Sequence, residues 1–369
     1  MSAISSQSKK VPVVFVGTYT EPEESHSEGI YVYRMDSSTG ILTFEQVVKG
    51  ILNPSFLEIH PKQNFLYAVN EVQTFAGQPR GGVSAFSIDS RSGELTLLND
   101  QSSQGKDPCY ISIEQTGRFA LVANYTSGSV AMLPIQPDGR LGPATDVIQH
   151  SGSSVHPERQ TGPHAHCILP DPTNRFAVAA DLGLDKLLIY EMELENGKLH
   201  KHAEVKVRPG AGPRHLTFHP NGQYAYLINE LNSTLISYRY HSETGTFEEL
   251  QTIPTLPQDF GGENLCADVH ISSNGKYLYA SNRGHDSIAL FVIDEHTGKL
   301  TYQNHTSPEG REPRNFAIDP SGTFLLAGNQ NTHNIVTFKI DPATGQLFKT
   351  GHEVEVSMPV CLKFAHLNP

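Results

Sequence analysis

Side chains that can bind anions and transfer protons flank one short stretch, "GAGPRHLTFHPNGQYAYLINE", from Gly210 to Glu230. Arg214 and His215 precede its first apolar run, and Glu230 follows its second. A guanidinium can bind a carboxylate or phosphate through paired hydrogen bonds or stabilise an oxyanion. An imidazole or a carboxylate can act as a general acid or base. These residue types together suit an anionic small substrate, provided that the fold brings them to one place.

The same stretch recurs along the chain, and the recurrence identifies the elements that position the charged residues. Each copy alternates apolar with other residues, turns at a Pro/Gly/Asn cluster and enters a nearly all-apolar run, which predicts a β-hairpin. Two further strands follow each hairpin, as in "HDSIALFVID" and "TGKLTYQ". Four strands in about 50 residues is the size of one propeller blade. The copies begin at Pro54, Pro108, Ala165, Pro213, Cys266 and Pro313.

A seventh copy is divided between the two ends of the chain. "PVCLKFAHLNP", from Pro359, supplies a first strand, "VVFVGTY" the second, and "GIYVYRMDSSTGILTFEQVV" the third and fourth. Joining these pieces closes a ring without a free sheet edge. We therefore predict an all-β, seven-bladed β-propeller of four-stranded antiparallel blades, with N- and C-terminal strands sharing one blade. The predicted single domain covers residues 11–369, after a flexible tail at 1–10. A β-helix or sandwich would not explain the division within a repeat.

The end of the second strand carries the same residue type in nearly every copy. Asn and Asp side chains close turns by bonding to nearby backbone groups. We therefore interpret this column as scaffold. Its members are Thr18, Asn70, Asn124, Asp181, Asn229, Asn282 and Asn329.

Two neighbouring columns vary from copy to copy, as expected of a functional site. The residues directly after the second strand are Tyr19, Glu71, Tyr125, Leu182, Glu230, Arg283 and Gln330. The second residues of the first strand are Ser55, Cys109, His166, Arg214, Ala267, Arg314 and Val360. A hairpin reverses direction, and the first strand of a blade lies nearest the axis. Both columns should therefore surround one mouth of the central channel.

Charge is concentrated on one arc of this predicted ring. Its members come from consecutive blades: His166, Arg214, Glu230, Arg283 and Arg314. Two long loops, "QHSGSSVHPERQTGPHAH" and "LPQDFGGENLCADVH", lead into these blades and are expected to wall the mouth. The residues predicted to contact the substrate are His164, His215, Asp268, Arg314, Gln330, Glu71 and Tyr125.

Other interpretations of these residues compete with a catalytic one. Arg214 and Arg283 could pair with Glu230 only to hold blades together, since ion-pair networks also perturb pKa values.

The His164-x-His166 pair has no nearby third ligand, so we predict no metal. We expect His60 and His219 to be structural, His270 to lie in the core, and Asp268 to pair with His215 or an arginine. No nucleophile elbow and no Cys–His pair is evident, so an enzyme here would activate water or shuttle a proton.

Composition excludes several classes of partner. The formal charge is −12 and the pI is about 5.8, which argues against nucleic acid or an anionic membrane. Four cysteines without a CxxC pair favour free thiols in a reducing compartment, and no stretch reaches the length of a spanning helix. We predict a cytoplasmic protein, a monomer or weak homo-oligomer, without a cofactor.

The chain resembles the seven-bladed β-propeller lactonase family, which is typified by bacterial propeller-type 6-phosphogluconolactonase and includes fungal carboxy-cis,cis-muconate cyclase. The most specific segments are "GAGPRHLTFHPNGQYAYLINELNSTL", "CADVHISSNGKYLYASNR" and "GNQNTHNI". The resemblance implies hydrolysis of 6-phosphogluconolactone to 6-phosphogluconate, a pentose-phosphate step of glucose metabolism. Alternatives are a cyclase-like reversible lactonisation of a muconate-type dicarboxylate and a non-catalytic small-molecule-binding propeller.

The resemblance also implies roles for individual residues. His166, Arg214, Glu230 and Arg283 match the proposed active site of the cyclase branch. His166 or Glu230 would act as general base on water, while Arg214 and Arg283 would stabilise the oxyanion. Arg314, His215 or Arg159 could then bind a phosphate.

Overall fold

The computed structural model describes residues 11–367, and the predicted flexible tail at 1–10 lies outside them. Within them the chain forms seven four-stranded antiparallel sheets, which confirms the predicted propeller. The axial strands contact one another around the ring. They are Leu57–Ile59 (β4), Pro108–Ile113 (β8), Ala165–Pro170 (β12), Pro213–Phe218 (β16), Leu265–Ile271 (β20), Pro313–Ile318 (β24) and Pro359–Leu367 (β28).

The remaining strands follow outward from the axis in three layers. The second strands are Val11–Thr18 (β1), Phe65–Asn70 (β5), Phe119–Asn124 (β9), Phe176–Asp181 (β13), Tyr224–Asn229 (β17), Tyr277–Arg283 (β21) and Phe324–Asn329 (β25). The third are Gly29–Met35 (β2), Gly82–Ile88 (β6), Ser129–Pro134 (β10), Lys186–Glu193 (β14), Thr234–His241 (β18), Ser287–Ile293 (β22) and Asn334–Ile340 (β26). The outermost are Leu42–Lys49 (β3), Leu95–Ser102 (β7), Asp146–Gln149 (β11), Lys198–Lys206 (β15), Thr246–Pro254 (β19), Leu300–Thr306 (β23) and Leu347–Glu355 (β27).

The divided blade has the strand order β28-β1-β2-β3. Strand β1 pairs antiparallel with β28, from Val11 opposite Leu367 to Thr18 opposite Pro359. This pairing joins the two ends of the described chain and closes the ring, as the split repeat predicts.

Burial decreases from the second strand outward. Strands β9, β13, β17 and β25 are buried at every position because neighbouring blades cover both faces. The outermost strands alternate between exposed and half-buried residues, as in β15 and β27. This explains why the second strand of each copy reads as a continuous apolar run.

Tyrosine hydroxyls connect successive blades inside this core. Tyr226 Oη donates to Gly298 O at 3.0 Å, and Tyr279 Oη donates to Gly345 O at 2.7 Å. Each acceptor lies in the turn between the third and fourth strands of the next blade. At Gly298 the backbone has φ +69°, and an added Cβ would come within 2.3 Å of the Tyr224 ring. Glycine is therefore required where the rings pack.

The Asn column is structural, as predicted. The Nδ2 atoms of Asn124, Asn282 and Asn329 donate to main-chain carbonyls at 3.1, 3.1 and 2.8 Å. Each carbonyl lies just after the outermost strand of the preceding blade. Asp181 accepts a hydrogen bond from the His164 amide at 2.8 Å. These bonds fix the loops that carry the variable residues.

The only helix in residues 11–367 is a 3₁₀ turn at Gln330–Thr332. No helix in this part of the chain is long and apolar enough to span a bilayer.

Candidate active site

The two variable columns meet at one mouth of the channel, as the hairpin geometry predicts. They line a pocket on the propeller axis. Its lining residues are Tyr19, Ser55, Phe56, Glu71, Cys109, His166, Arg214, His215, Arg314, Asn315 and Val360.

β-Bulges at the start of the axial strands aim the functional side chains into this mouth. The pairing of β12 with β13 skips His166, that of β16 with β17 skips Arg214, and that of β24 with β25 skips Arg314. A bulged residue leaves the regular ladder, so its side chain can be redirected. In β20 the corresponding irregularity spans Ala267 and Asp268.

Glu230 is surrounded by guanidinium groups. Its Oε1 accepts from Arg159 Nη2 at 2.6 Å, and its Oε2 accepts from Arg214 Nε and Arg283 Nη2 at 3.0 Å each. The Glu230 side chain is only 4% exposed. Burial alone would raise its pKa, but Arg283, Arg214 and Arg159 outweigh that effect and lower the pKa to about 2. Glu230 is therefore a firmly ionised anchor and a weak proton acceptor.

The predicted ion-pair network is thus present, and it holds two arginines at the mouth. Arg214 is buried, and its Nη1 also donates to Ala267 O. Burial, together with Arg283 and Arg314, lowers the pKa of Arg214 to about 10. Arg283 Nη2 donates to Cys266 O at 3.1 Å, while its buried Nε has no hydrogen-bond partner. Arg214 therefore remains charged, and hydrogen bonds fix the direction of both guanidinium groups.

His166 is a buried, neutral imidazole at the centre of the arc. Burial, and then the nearby charges of Arg214, His215 and Arg314, hold its pKa well below the usual range. Its ring packs edge-on against Tyr125 and His215, with centroids 5.5 and 5.3 Å apart. A neutral histidine that lines a pocket can accept a proton at neutral pH.

The expectation that no cysteine has a histidine partner is wrong for one residue. Cys109 Sγ lies 3.9 Å from His166 Nδ1 and 3.4 Å from His166 O. Burial holds the pKa of this thiol well above its ordinary value. Cys109 is therefore a neutral neighbour of His166 and a poor nucleophile.

His215 belongs to a buried hydrogen-bonded chain, as the sequence suggests through Asp268. His215 Nδ1 lies 2.9 Å from Asp268 Oδ1, and His270 Nε2 lies 2.9 Å from Asp268 Oδ2. Burial and Arg214 lower the pKa of His215 to about 4, so its neutral ring donates from Nδ1. Asp268, with its pKa well below the usual range against the opposing effect of burial, fixes that orientation.

His270 corrects another prediction. Its side chain is 38% exposed and lines a cavity with Lys363 and Phe364, so it is not a core residue. This second cavity shares His215 and Asn315 with the mouth pocket. By contrast, His60 and His219 bond to the carbonyls of Gly117 and Gly275 at 3.0 and 2.8 Å, which confirms their structural role.

The opposite side of the mouth holds a second polar cluster. Tyr19 Oη donates to both carboxylate oxygens of Glu71 at 3.1 Å and accepts from Arg314 Nη2 at 2.9 Å. The Arg314 guanidinium also lies over the Tyr19 ring, 5.4 Å from its centroid. Ser55 Oγ donates to Glu71 Oε2. The sequence identifies Glu71 and Arg314 as candidates but does not predict that Tyr19 links them.

The first long loop reaches the mouth, as predicted. Its Arg159 donates to Tyr125 Oη at 3.0 Å as well as to Glu230. The Tyr125 ring stacks on His164 at 4.6 Å, and His164 Nδ1 lies 3.0 Å from Tyr125 O. His164 thus supports the wall of the mouth.

The remaining candidates lie further from the pocket. Gln330 bonds to Asn331 at 3.2 Å, and its buried Oε1 has no partner. In the second long loop, Phe260 packs edge-on against His285 at 4.8 Å. Within residues 11–367 no group of three or more His, Cys, Asp or Glu side chains is arranged to hold a metal ion.

Comparison with known proteins places this geometry in a family. The family model "Lactonase, 7-bladed beta-propeller" matches residues 13–364. A Bacillus subtilis 6-phosphogluconolactonase is 39% identical over 352 residues, covering 95% of this chain and 98% of the relative. A Formosa agariphila 6-phosphogluconolactonase is 37% identical over 313 residues, covering 84% of this chain and 86% of the relative. A solved Pseudomonas aeruginosa periplasmic gluconolactonase superposes with a TM-score of 0.90 at 36% identity, covering 97% and 99% of the two chains. The chain belongs to the seven-bladed β-propeller lactonase family.

Proposed function

We propose that this protein hydrolyses 6-phosphogluconolactone to 6-phosphogluconate at the mouth pocket. The observation that carries the proposal is the neutral His166 beside the charged Arg214 in a pocket that also contains Arg314. The similarity to 6-phosphogluconolactonases over nearly the whole chain supports this substrate. Four arginines face two carboxylates at the mouth, so the mouth suits an anionic substrate although the protein carries a formal charge of −12.

His166 is the proposed general base. It would take a proton from water as the water oxygen attacks the lactone carbonyl carbon. The sequence leaves open whether His166 or Glu230 has this role. Three arginines stabilise the charged form of Glu230, which makes this carboxylate a weak proton acceptor.

Arg214 is the proposed partner of the oxyanion. A fixed guanidinium in a buried site stabilises developing negative charge without reorganising during the reaction. Glu230 and Ala267 O hold Arg214 in place, and Arg283 shares the same carboxylate. In this proposal Glu230 and Arg283 position Arg214, so the ion-pair network supports catalysis as well as structure.

Arg314 is the proposed phosphate-binding residue, with Arg159 as a second contact. Arg314 is partly exposed at the pocket and uses one donor on Tyr19, which leaves donors of its guanidinium for a ligand. Arg159 is 34% exposed and comes from a loop over the mouth. Guanidinium groups suit phosphate because their donors match two phosphate oxygens.

The test is acid release from freshly generated 6-phosphogluconolactone by the purified protein, corrected for spontaneous opening. We expect a clear acceleration that falls by about 10²–10³-fold in Arg214→Ala, as for loss of one oxyanion donor. Arg239→Ala is the matched control, since Arg239 lies on β18 with a 40% exposed side chain. No acceleration by the wild-type protein would reject the proposal. Faster hydrolysis of gluconolactone than of its 6-phosphate would redirect it to an unphosphorylated sugar lactone.

We also propose a cytoplasmic location and a monomeric or weakly associating state. All four cysteines are buried as free thiols, which suits a reducing compartment. One structural relative is described as periplasmic, so cell fractionation is the deciding measurement. Sedimentation of the purified protein would give the oligomeric state.

A further inference from the structure

Glu71 is the second carboxyl group at the mouth, and its setting differs from that of Glu230. It follows β5 and lies three blades away from Glu230 around the ring. Glu71 is partly exposed, whereas three guanidinium groups cover Glu230 and leave its side chain 4% exposed. The Glu71 carboxyl lines the same pocket as His166 and Arg214. It is therefore the carboxyl of the two that a ligand in the pocket can contact.

The hydrogen bonds of Glu71 come from neutral hydroxyl groups. Ser55 Oγ and Tyr19 Oη both donate to its carboxyl, and Arg314 donates to Tyr19. Burial raises the pKa of Glu71 against the opposing effects of Arg314, Ser55 and Tyr19. Burial thus favours a proton on Glu71, whereas the arginines oppose a proton on Glu230.

Lactone hydrolysis also benefits from a proton donor near the leaving ring oxygen, apart from the base His166. After water attacks, the tetrahedral intermediate breaks its bond to the ring oxygen. That oxygen would leave as an alkoxide, which is a poor leaving group unless a general acid protonates it. His166 lies two blades from Glu71, so the two groups approach a pocket ligand from different directions.

We propose that Glu71 is the general acid that protonates the leaving ring oxygen, an inference that rests on the proposed lactonase function. Water adds its oxygen to the carbonyl carbon and gives one proton to His166. The bond from the carbonyl carbon to the ring oxygen then breaks, and that oxygen takes the proton of Glu71. Ser55, Tyr19 and, through Tyr19, Arg314 stabilise the new carboxylate. The proton on His166 leaves to solvent and Glu71 regains one from solvent, so one water is consumed per lactone opened.

The other titratable groups around Glu71 keep one charge state during this cycle. Burial raises the pKa values of Tyr19 and Cys109, so both stay neutral. Arg314 remains a cation because Tyr19, Glu71 and Glu230 raise its pKa against the effect of burial. Asp107 is a further acidic neighbour that raises the pKa of Glu71. In this scheme only Glu71 and His166 exchange protons.

The experiment compares wild type, Glu71→Gln and Glu71→Asp with freshly generated 6-phosphogluconolactone between about pH 5 and 8. A general acid works while protonated, so wild-type kcat should fall as the pH rises through the Glu71 pKa. In Glu71→Gln we expect kcat to drop about 10²–10⁴-fold, with a smaller change in KM, and the alkaline decline to disappear. Glu71→Asp keeps the carboxyl and should recover part of the activity together with the alkaline decline.

The control is Glu248→Gln, which removes a 62% exposed carboxylate from the outer strand β19. It should leave kcat and its pH profile unchanged. If Glu71→Gln loses activity equally at every pH and keeps the alkaline decline, Glu71 is a structural residue and the inference is wrong. Unchanged kcat in Glu71→Gln would identify protonated His166 as the donor instead. A wild-type protein that hydrolyses no lactone would overturn the proposed function, and this inference with it.

Discussion

His166 Nε2 lies 3.9 Å from Glu230 Oε2, close enough for electrostatic contact but too far for a hydrogen bond. The carboxylate instead uses both oxygens on three arginines. The two residues therefore share the mouth without forming a catalytic dyad. His166 remains neutral and can accept a proton, while Glu230 accepts hydrogen bonds from the arginines.

Replacing His166 should remove the base. His166→Ala is expected to lower kcat about 10²–10⁴-fold, the usual contribution of general-base catalysis. Because burial and nearby arginines hold the His166 pKa well below 6.5, the wild-type acidic decline in kcat/KM should lie well below that pH. The measurement is the pH profile of lactone hydrolysis. An acidic decline centred at or above pH 6.5 would contradict the assignment.

Glu230→Gln should destabilise the protein in a pH-dependent way. The arginines lower the pKa of Glu230 from 4.5 to about 2, so its charge stabilises the fold above pH 4.5. That contribution, on the order of 3 kcal/mol, is lost as the pH falls from 4.5 towards 2. Urea unfolding of wild type and variant should therefore differ most near neutral pH and converge near pH 2. An equal difference in the free energy of unfolding near pH 2 and near neutral pH would show that the charge of Glu230 is not the cause.

Arg314→Ala should reduce discrimination between phosphorylated and unphosphorylated lactones. Loss of a guanidinium–phosphate pair is expected to raise KM for 6-phosphogluconolactone about 10–100-fold, with a smaller effect on gluconolactone. Initial rates with both substrates give the ratio. Arg239→Ala is the control, since Arg239 has a 40% exposed side chain on β18, the third strand of its blade. An equal rise in KM for both substrates would contradict phosphate binding and show that Arg314 stabilises the structure of the mouth.

Two buried tyrosines give a matched stability test. Tyr226 Oη donates to Gly298 O in the next blade, whereas the buried Tyr238 Oη has no hydrogen-bond partner. Tyr226→Phe should cost about 1 kcal/mol because it leaves a buried carbonyl without its donor. Tyr238→Phe removes an unsatisfied hydroxyl and should be neutral or stabilising. Chemical denaturation measures both, and equal losses would refute the role of the blade-to-blade bond.

Much of the architecture was predictable because blade formation is local. Alternation of apolar residues, turn residues and a period near 50 residues define each blade within a short segment. The divided seventh copy additionally specifies ring closure, since the axial neighbour of β1 is β28 from the other end of the chain. Because a hairpin reverses direction and its first strand lies nearest the axis, His166, Arg214 and Arg314 are expected at one mouth. This expectation needs no knowledge of how the blades pack.

The repeat pattern alone predicts the propeller, the ring closure and the set of residues around the mouth. Blade packing in three dimensions sets which of those residues touch. Arg159 crosses from a long loop to Glu230, Tyr19 joins Glu71 to Arg314, and Cys109 lies beside His166. It also placed His270 at a second cavity rather than in the core. The physical reason is that blade formation depends on neighbours along the chain, whereas ion pairing and pKa depend on distances between blades, which packing around the axis sets.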